Sequence, residues 1–173
     1  MLFATSWELQ RLKEQLFSTH GLDNNATYLG IHIRTGRSVG ERLDRMGGAT
    51  LESMFACVQR IESASRLPNR TKWYIASDDA EAATVLATWL QRQGLPRDKV
   101  MSLHDINGTI AHIGQQASQR EGSLFALFDF NMLRDSATVM NTYSGFSTCA
   151  SLAGGHTQRI GLPECRHAQV QIC

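Results

Sequence analysis

Apolar positions along the chain switch repeatedly between a helical period and short continuous runs. Leu9, Leu12 and Leu16 share one helical face, which predicts a helix over 5–20, with Thr5 as its cap, Glu8 completing a capping box and Gly21 as its stop. Tyr28–Ile33 is short, β-rich and apolar on both sides, as expected of a central parallel strand. A loop over 35–48 with four glycines and three arginines follows. Behind Thr50, a second cap candidate, Leu51, Met54, Phe55, Val58 and Ile61 repeat with the helical period. A second strand is expected over 73–77. Asp78 and Glu81 stand where they would cap a third helix with Val85, Leu86, Trp89 and Leu90 as its stripe, ended by Gly94-Leu95-Pro96. Residues 100–103 read as a third strand and 104–117 as a polar loop. Ser118 and Glu121 would open a fourth helix that buries Leu124, Phe125, Leu127, Phe128 and Met132. A strand over 137–142, a small-residue helix near 147–153 stopped by Gly154-Gly155, and a last strand around 158–162 complete the pattern.

Strands alternating with helices, joined by connections of crossover length, predict an α/β fold. The expected form is a Rossmann-like three-layer domain with a mainly parallel sheet covered on both faces. The 173 residues are enough for one sizeable core, so 1–173 reads as a single domain.

Composition acts mainly by exclusion. Seventeen Lys and Arg against sixteen Asp and Glu leave a formal charge of +1, which argues against nucleic-acid binding driven by bulk charge. Hydrophobic residues at 42% and charged residues at 19% argue against wholesale disorder. No apolar run approaches the ~20 residues of a membrane span. The apolar start Met1-Leu2-Phe3-Ala4 is too short for a signal peptide, so the protein is expected to be cytoplasmic or to begin further upstream. Among the cysteines, Cys57 and Cys149 read as buried free thiols. Cys165 and Cys173 are the better candidates for a disulfide if the compartment is oxidising. The absence of a C-x-x-C pair argues against structural zinc. N-x-S/T patterns at Asn25, Asn69 and Asn107 would suit glycosylation in a secretory lumen.

Candidate chemistry gathers where three predicted strands end, since open parallel sheets bind ligands beyond their carboxyl ends. The first end is His32-Ile33-Arg34-Thr35-Gly36. Arg34 suits bidentate phosphate binding, or alternatively a salt bridge to Asp78 or Asp79. His32 alternates with Arg34 and so faces the same side, either as a phosphate donor or as a structural histidine. Gly36 allows the backbone to turn or approach a ligand. The second end is Ser77-Asp78-Asp79, whose carboxylates could accept from a base or ribose. The third is Ser144-Gly145-Phe146-Ser147, at the start of a helix whose N–H groups attract anions. Either serine could cap that helix or touch phosphate. P-loop, dinucleotide-fingerprint and G-x-S-x-G patterns are missing, which counts against the corresponding enzyme classes.

Taken in order, Gly30-Ile31-His32-Ile33-Arg34-Thr35-Gly36, Tyr74-Ile75-Ala76-Ser77-Asp78-Asp79 and the segment from Asp135 to Ala150 resemble the nucleotide-sugar half of the fucosyltransferase superfamily. That superfamily includes α-1,6-fucosyltransferases and protein O-fucosyltransferases. The resemblance implies the donor half of a GT-B glycosyltransferase with GDP-fucose as donor substrate, no metal cofactor, and transfer with inversion to a glycan or protein hydroxyl. It implies that Arg34 is the catalytic residue, holding the pyrophosphate and assisting departure of GDP. His32 and Gly36 would support that site, Asp78 or Asp79 would recognise guanine or ribose, and Ser144, Phe146 and Ser147 would line the nucleotide pocket. It also implies a Golgi or endoplasmic-reticulum lumen where the full-length protein carries a targeting segment. Arg37 and Gly145 depart from the pattern, standing where many relatives have an acidic residue and a serine. The family's acceptor-side domain is not found within 1–173. The alternatives are therefore a non-catalytic nucleotide- or glycan-binding domain, or another Rossmann-like enzyme acting on a phosphorylated metabolite.

Overall fold

All six residues of Tyr28–Ile33 are buried, and that strand takes the middle of the sheet. The computed structural model describes residues 6–34, 51–64, 71–78, 82–106, 119–141, 144–155 and 159–161. The helices are α1 (Trp7–Thr19), α2 (Leu51–Ala64), α3 (Ala82–Arg92), α4 (Gln119–Arg134) and α5 (Gly145–Ala153). The strands are β1 (Tyr28–Ile33), β2 (Lys72–Ser77), β3 (Val100–Ser102), β4 (Thr138–Asn141) and β5 (Arg159–Gly161). They lie in the order β3-β2-β1-β4-β5, and every neighbouring pair is parallel. The chain winds outward from β1 to β3, then crosses back to β4 and β5. This is the doubly wound α/β pattern, with its reversal of strand order beside β1.

Alternation along the strands divides the core into two layers. Leu29, Ile31 and Ile33 join Trp73, Ile75 and Val100 beneath α2 and α3, which contribute Met54, Phe55, Val58, Leu86 and Leu90. Tyr28, Tyr74, Ala76, Met101 and Val139 face the opposite way, toward Leu16 and Phe17 of α1, Phe128 and Met132 of α4, and Ala150 of α5. Large side chains such as Phe17, Phe55, Phe128 and Trp73 are fully buried, and apolar burial of this size is worth ~1.5–3 kcal/mol each.

Polar contacts fix the geometry. Tyr28 donates its hydroxyl to the Met132 carbonyl at 2.8 Å, pinning α4 to the central strand. Lys99 is buried against Glu62 of α2 at 2.7 Å, with its ammonium 5.4 Å from the Trp73 ring centre. At edge strand β3, the Val100 N–H goes to the Arg97 carbonyl, and the Ser102 N–H goes to Asp105 Oδ2 at 2.7 Å. Gly21 and Gly94 take φ of 63° and 72° just beyond α1 and α3. The next amides, Leu22 and Leu95, reach back to the Phe17 and Leu90 carbonyls, closing both helices with a Schellman turn.

Several sequence expectations are corrected. The first helix begins at Trp7, and its cap is Ser6, whose Oγ accepts from Leu9 N at 3.4 Å. Glu8 is therefore two residues past the cap instead of three, and no capping box forms. The third helix is described from Ala82, and residues 79–81, across which the expected capping by Asp78 and Glu81 would run, lie outside the described residues. Val85 is 37% exposed and Leu127 is 52% exposed. Each lies about 100° around its helix from a buried neighbour, Leu86 or Phe128, which places it outside the stripe. Cys57 is disulfide-bonded, not free, and its partner lies outside the described residues. Cys149 is free but exposed. The expected caps Thr5, Thr50 and Ser118 also lie outside the described residues.

Gly30 explains how closely α4 and β4 approach the centre. A Cβ there would stand 2.7 Å from Ser136 Oγ and 3.1 Å from Leu133 Cδ2. Ser136 is itself buried, donating to the Leu133 carbonyl at 2.8 Å. Gly30→Ala should lower stability by about 1–3 kcal/mol in urea denaturation, the usual range for overpacking. Ser136→Gly in the same chain should recover part of the loss. Unchanged stability in the single variant would contradict this packing.

Candidate functional site

Because the strands are parallel, the carboxyl ends of β1, β2 and β4 open at one rim. The register pairs Ile33 with Ser77, and His32 with Ala76 on one side and Asn141 on the other. Arg34 therefore leaves β1 beside Asp78 leaving β2. The two strand ends are tied by Ser77 Oγ donating to the Ile33 carbonyl at 3.0 Å and by the Asp78 N–H reaching the same carbonyl at 3.4 Å.

His32 lies just below this rim, 7% exposed, on the face toward α4 and α5. Its ring stands 5.5 Å from that of Phe146, tilted by 38°. Phe130 of α4 in turn meets Phe146 edge-on at 5.8 Å. Burial lowers the His32 pKa from the ordinary 6.5 to about 4, with Asp78 opposing the shift and Arg34 reinforcing it. The imidazole is thus neutral at physiological pH. Its Nδ1 is buried and has no hydrogen-bond partner among the described residues.

The start of α5 completes the rim. Ser144 is extended, with φ −149° and ψ 131°, and its hydroxyl makes no capping bond to the described residues. Its carbonyl accepts the first helical bond, from Thr148 N at 3.1 Å. Ser147 is fully buried, and its hydroxyl donates to the Ser144 carbonyl at 3.3 Å. This bond is not a cap, since a capping oxygen accepts from a helix N–H whereas the Ser147 hydroxyl donates to a carbonyl. Thus His32, Arg34, Asp78, Ser144, Phe146 and Ser147 stand at or just beneath one rim. Gly36 and Asp79 lie outside the described residues.

A pair in the layer below, a buried tyrosine and a half-buried aspartate, was not singled out from the sequence. Tyr74 of β2 donates its hydroxyl to Asp129 of α4. Burial pushes the Asp129 carboxyl up to about 7, against the lowering effect of the Tyr74 bond. Burial, and then the Asp129 charge, hold the Tyr74 phenol well above its ordinary value. The available signal was an acidic residue set between Phe128 and Phe130 in an otherwise apolar helical face. Among the described residues, no group of three or more His, Cys, Asp or Glu side chains is arranged to hold a metal ion. Nor is any described helix long and apolar enough to cross a membrane.

No family model matches this sequence, and no curated protein matches it. Solved structures that are similar in fold include the NodZ alpha-1,6-fucosyltransferase co-crystallized with GDP, at 22% identity and TM-score 0.46, covering 84% of this chain and 41% of that one. Another is fucosyltransferase NodZ from Bradyrhizobium, at 21% identity and TM-score 0.48, covering 86% and 42%. A third is NodZ soaked with GDP-fucose, at 22% identity and TM-score 0.45, covering 85% and 42%. The chain spans about two fifths of the length of the structures it matches. The likeness is one of fold.

Two shifted titratable groups, Asp129 and His32, pull stability in opposite directions. Folding raises the Asp129 pKa from 3.8 to about 7, so its contribution is present at low pH and is lost as pH rises toward 7. Folding lowers the His32 pKa from 6.5 to about 4, so its contribution is present above 6.5 and is lost as pH falls toward 4. Denaturation between about pH 5 and 6.5 should therefore show a shallow slope in the unmodified chain. In Asp129→Asn, stability should rise with pH across that window. In His32→Gln it should fall. Identical slopes in all three proteins would refute both assignments.

Proposed function

We propose that this chain is the donor-binding domain of a GDP-fucose-dependent glycosyltransferase, which transfers fucose with inversion to a hydroxyl of a glycan or protein. The observation that carries this reading is the convergence of Arg34, Asp78 and the start of α5 on one rim of a parallel sheet, beside the reversal of strand order. These are the residues on which the ordered resemblance to fucosyltransferases rests.

In this reading, Arg34 holds the diphosphate and stabilises the charge that grows on it as the fucosyl bond breaks. The N-terminal N–H groups of α5 add a second source of positive potential. Asp78 accepts from the ribose or base. Neutral His32 meets the nucleotide through a ring nitrogen without adding charge. No metal is needed in this scheme, since the guanidinium and backbone dipoles stabilise the leaving group. Acceptor binding and the catalytic base are assigned to no residue of this chain. The disulfide at Cys57 supports an oxidising compartment, in keeping with a secretory lumen.

Calorimetric titration with GDP and GDP-fucose tests the proposal. The chain should bind both, and Arg34→Ala should weaken binding by about 1 kcal/mol or more, the loss expected for a charge-assisted contact. Equal binding by the two proteins would reject the role given to Arg34. Absence of binding by the unmodified chain would reject the donor-site reading.

A further inference from the structure

Resting on that donor-site reading, we propose that Phe130 of α4 is a positioning residue for the nucleotide site: it braces Phe146 edge-on, and Phe146 in turn holds the His32 imidazole in one orientation beneath the rim. Phe130 itself sits outside the residues assigned to bind the donor. Its influence passes through two ring contacts, Phe130 to Phe146 at 5.8 Å and 78°, then Phe146 to His32 at 5.5 Å and 38°.

Three features favour a brace over mere core filling. First, Phe130 and Phe146 are both only partly buried and pack against the margin of the lower core layer, where they bridge that layer to the rim. Secondly, the three rings come from three separate elements, α4, α5 and β1. Helix α4 is independently fixed to the sheet by the Tyr28 and Tyr74 hydroxyls, so Phe130 is carried by a rigid support. Thirdly, the side chain being held is a nine-tenths buried imidazole whose Nδ1 has no partner among the described residues. With no described hydrogen bond at Nδ1 to orient the ring, its packing against Phe146 is the described contact that fixes its plane. Among the described residues, the groups whose charges reach this imidazole are Asp78, at the end of β2, and Arg34, two residues along its own strand. The ring that meets the imidazole from α5 is the uncharged Phe146, which Phe130 of α4 meets in turn. Loosening these contacts admits water to His32 and frees it to turn, without altering the two charges beside it.

The test combines NMR titration of His32 in the nucleotide-free chain with calorimetry of GDP at a pH where the imidazole is neutral in every variant. Phe130→Leu keeps apolar volume but removes the ring edge. Phe130→Tyr keeps the ring, and Phe130→Ala removes both. In Phe130→Leu, the His32 midpoint should move up from about 4 toward 6.5, and GDP binding should weaken about threefold to tenfold, the scale of a lost aromatic contact. Phe130→Ala should move both further, and Phe130→Tyr should restore both. An unchanged His32 midpoint in a folded Phe130→Leu protein overturns the brace, whatever happens to stability. So does a shifted midpoint with unaltered GDP affinity. If the unmodified chain itself fails to bind GDP, the donor-site reading falls, whereas the titration still reports on the ring contacts alone.

Discussion

Everything at the rim depends on β1 being gripped from both sides in a fixed register. β2 and β4 are parallel to it, so their carboxyl ends emerge at the same level, and His32, Ala76 and Asn141 form one row across the sheet. A slip of one residue would turn Arg34 and His32 to the α2 and α3 face. The grip is tight because Gly30 lets the turn between α4 and β4 come down onto the strand, with Ser136 and Leu133 occupying the room that a side chain would need. Absence of a side chain in the middle of β1 is thus coupled to the position of reactive groups several residues further along.

The electrostatic character of the site follows from depth. Arg34 reaches the partly exposed margin, where its charge can meet an anion. His32, two residues earlier, is enclosed by the sheet and by Phe146, and burial strips it of charge. Two residues that look equally basic in the sequence therefore have different physical roles: one supplies charge and the other supplies a neutral polar edge. Asp129 is a parallel case, since the apolar layer raises its proton affinity until it is no longer a dependable anion at neutral pH.

Much of this architecture was legible in the residue pattern. The bounds of β1 and the stops at Gly21 and Gly94 follow from strong local signals: a continuous apolar run and glycines that tolerate positive φ. The convergence of three strand ends followed from the parallel topology that the alternation implied. The misses have specific causes. Thr5 and Ser6 are both competent caps, and only the placement of the first helical turn selects Ser6. Val85 and Leu127 are apolar yet lie just off their helical stripes. The bond between Tyr74 and Asp129 joins residues 55 positions apart, and the disulfide at Cys57 is likewise a tertiary event. Such pairings leave little trace in a local window.

The sealed margin at β3 has a consequence of its own. An uncovered outer strand ordinarily offers a row of free amides on which a foreign strand can dock, and this is how fibrillar aggregates are seeded. Here that strand is three residues long, and an aspartate from the following turn already occupies its last amide. The protein thus protects this border with one of its own carboxylates, leaving a newcomer little from which to begin a cross-β stack.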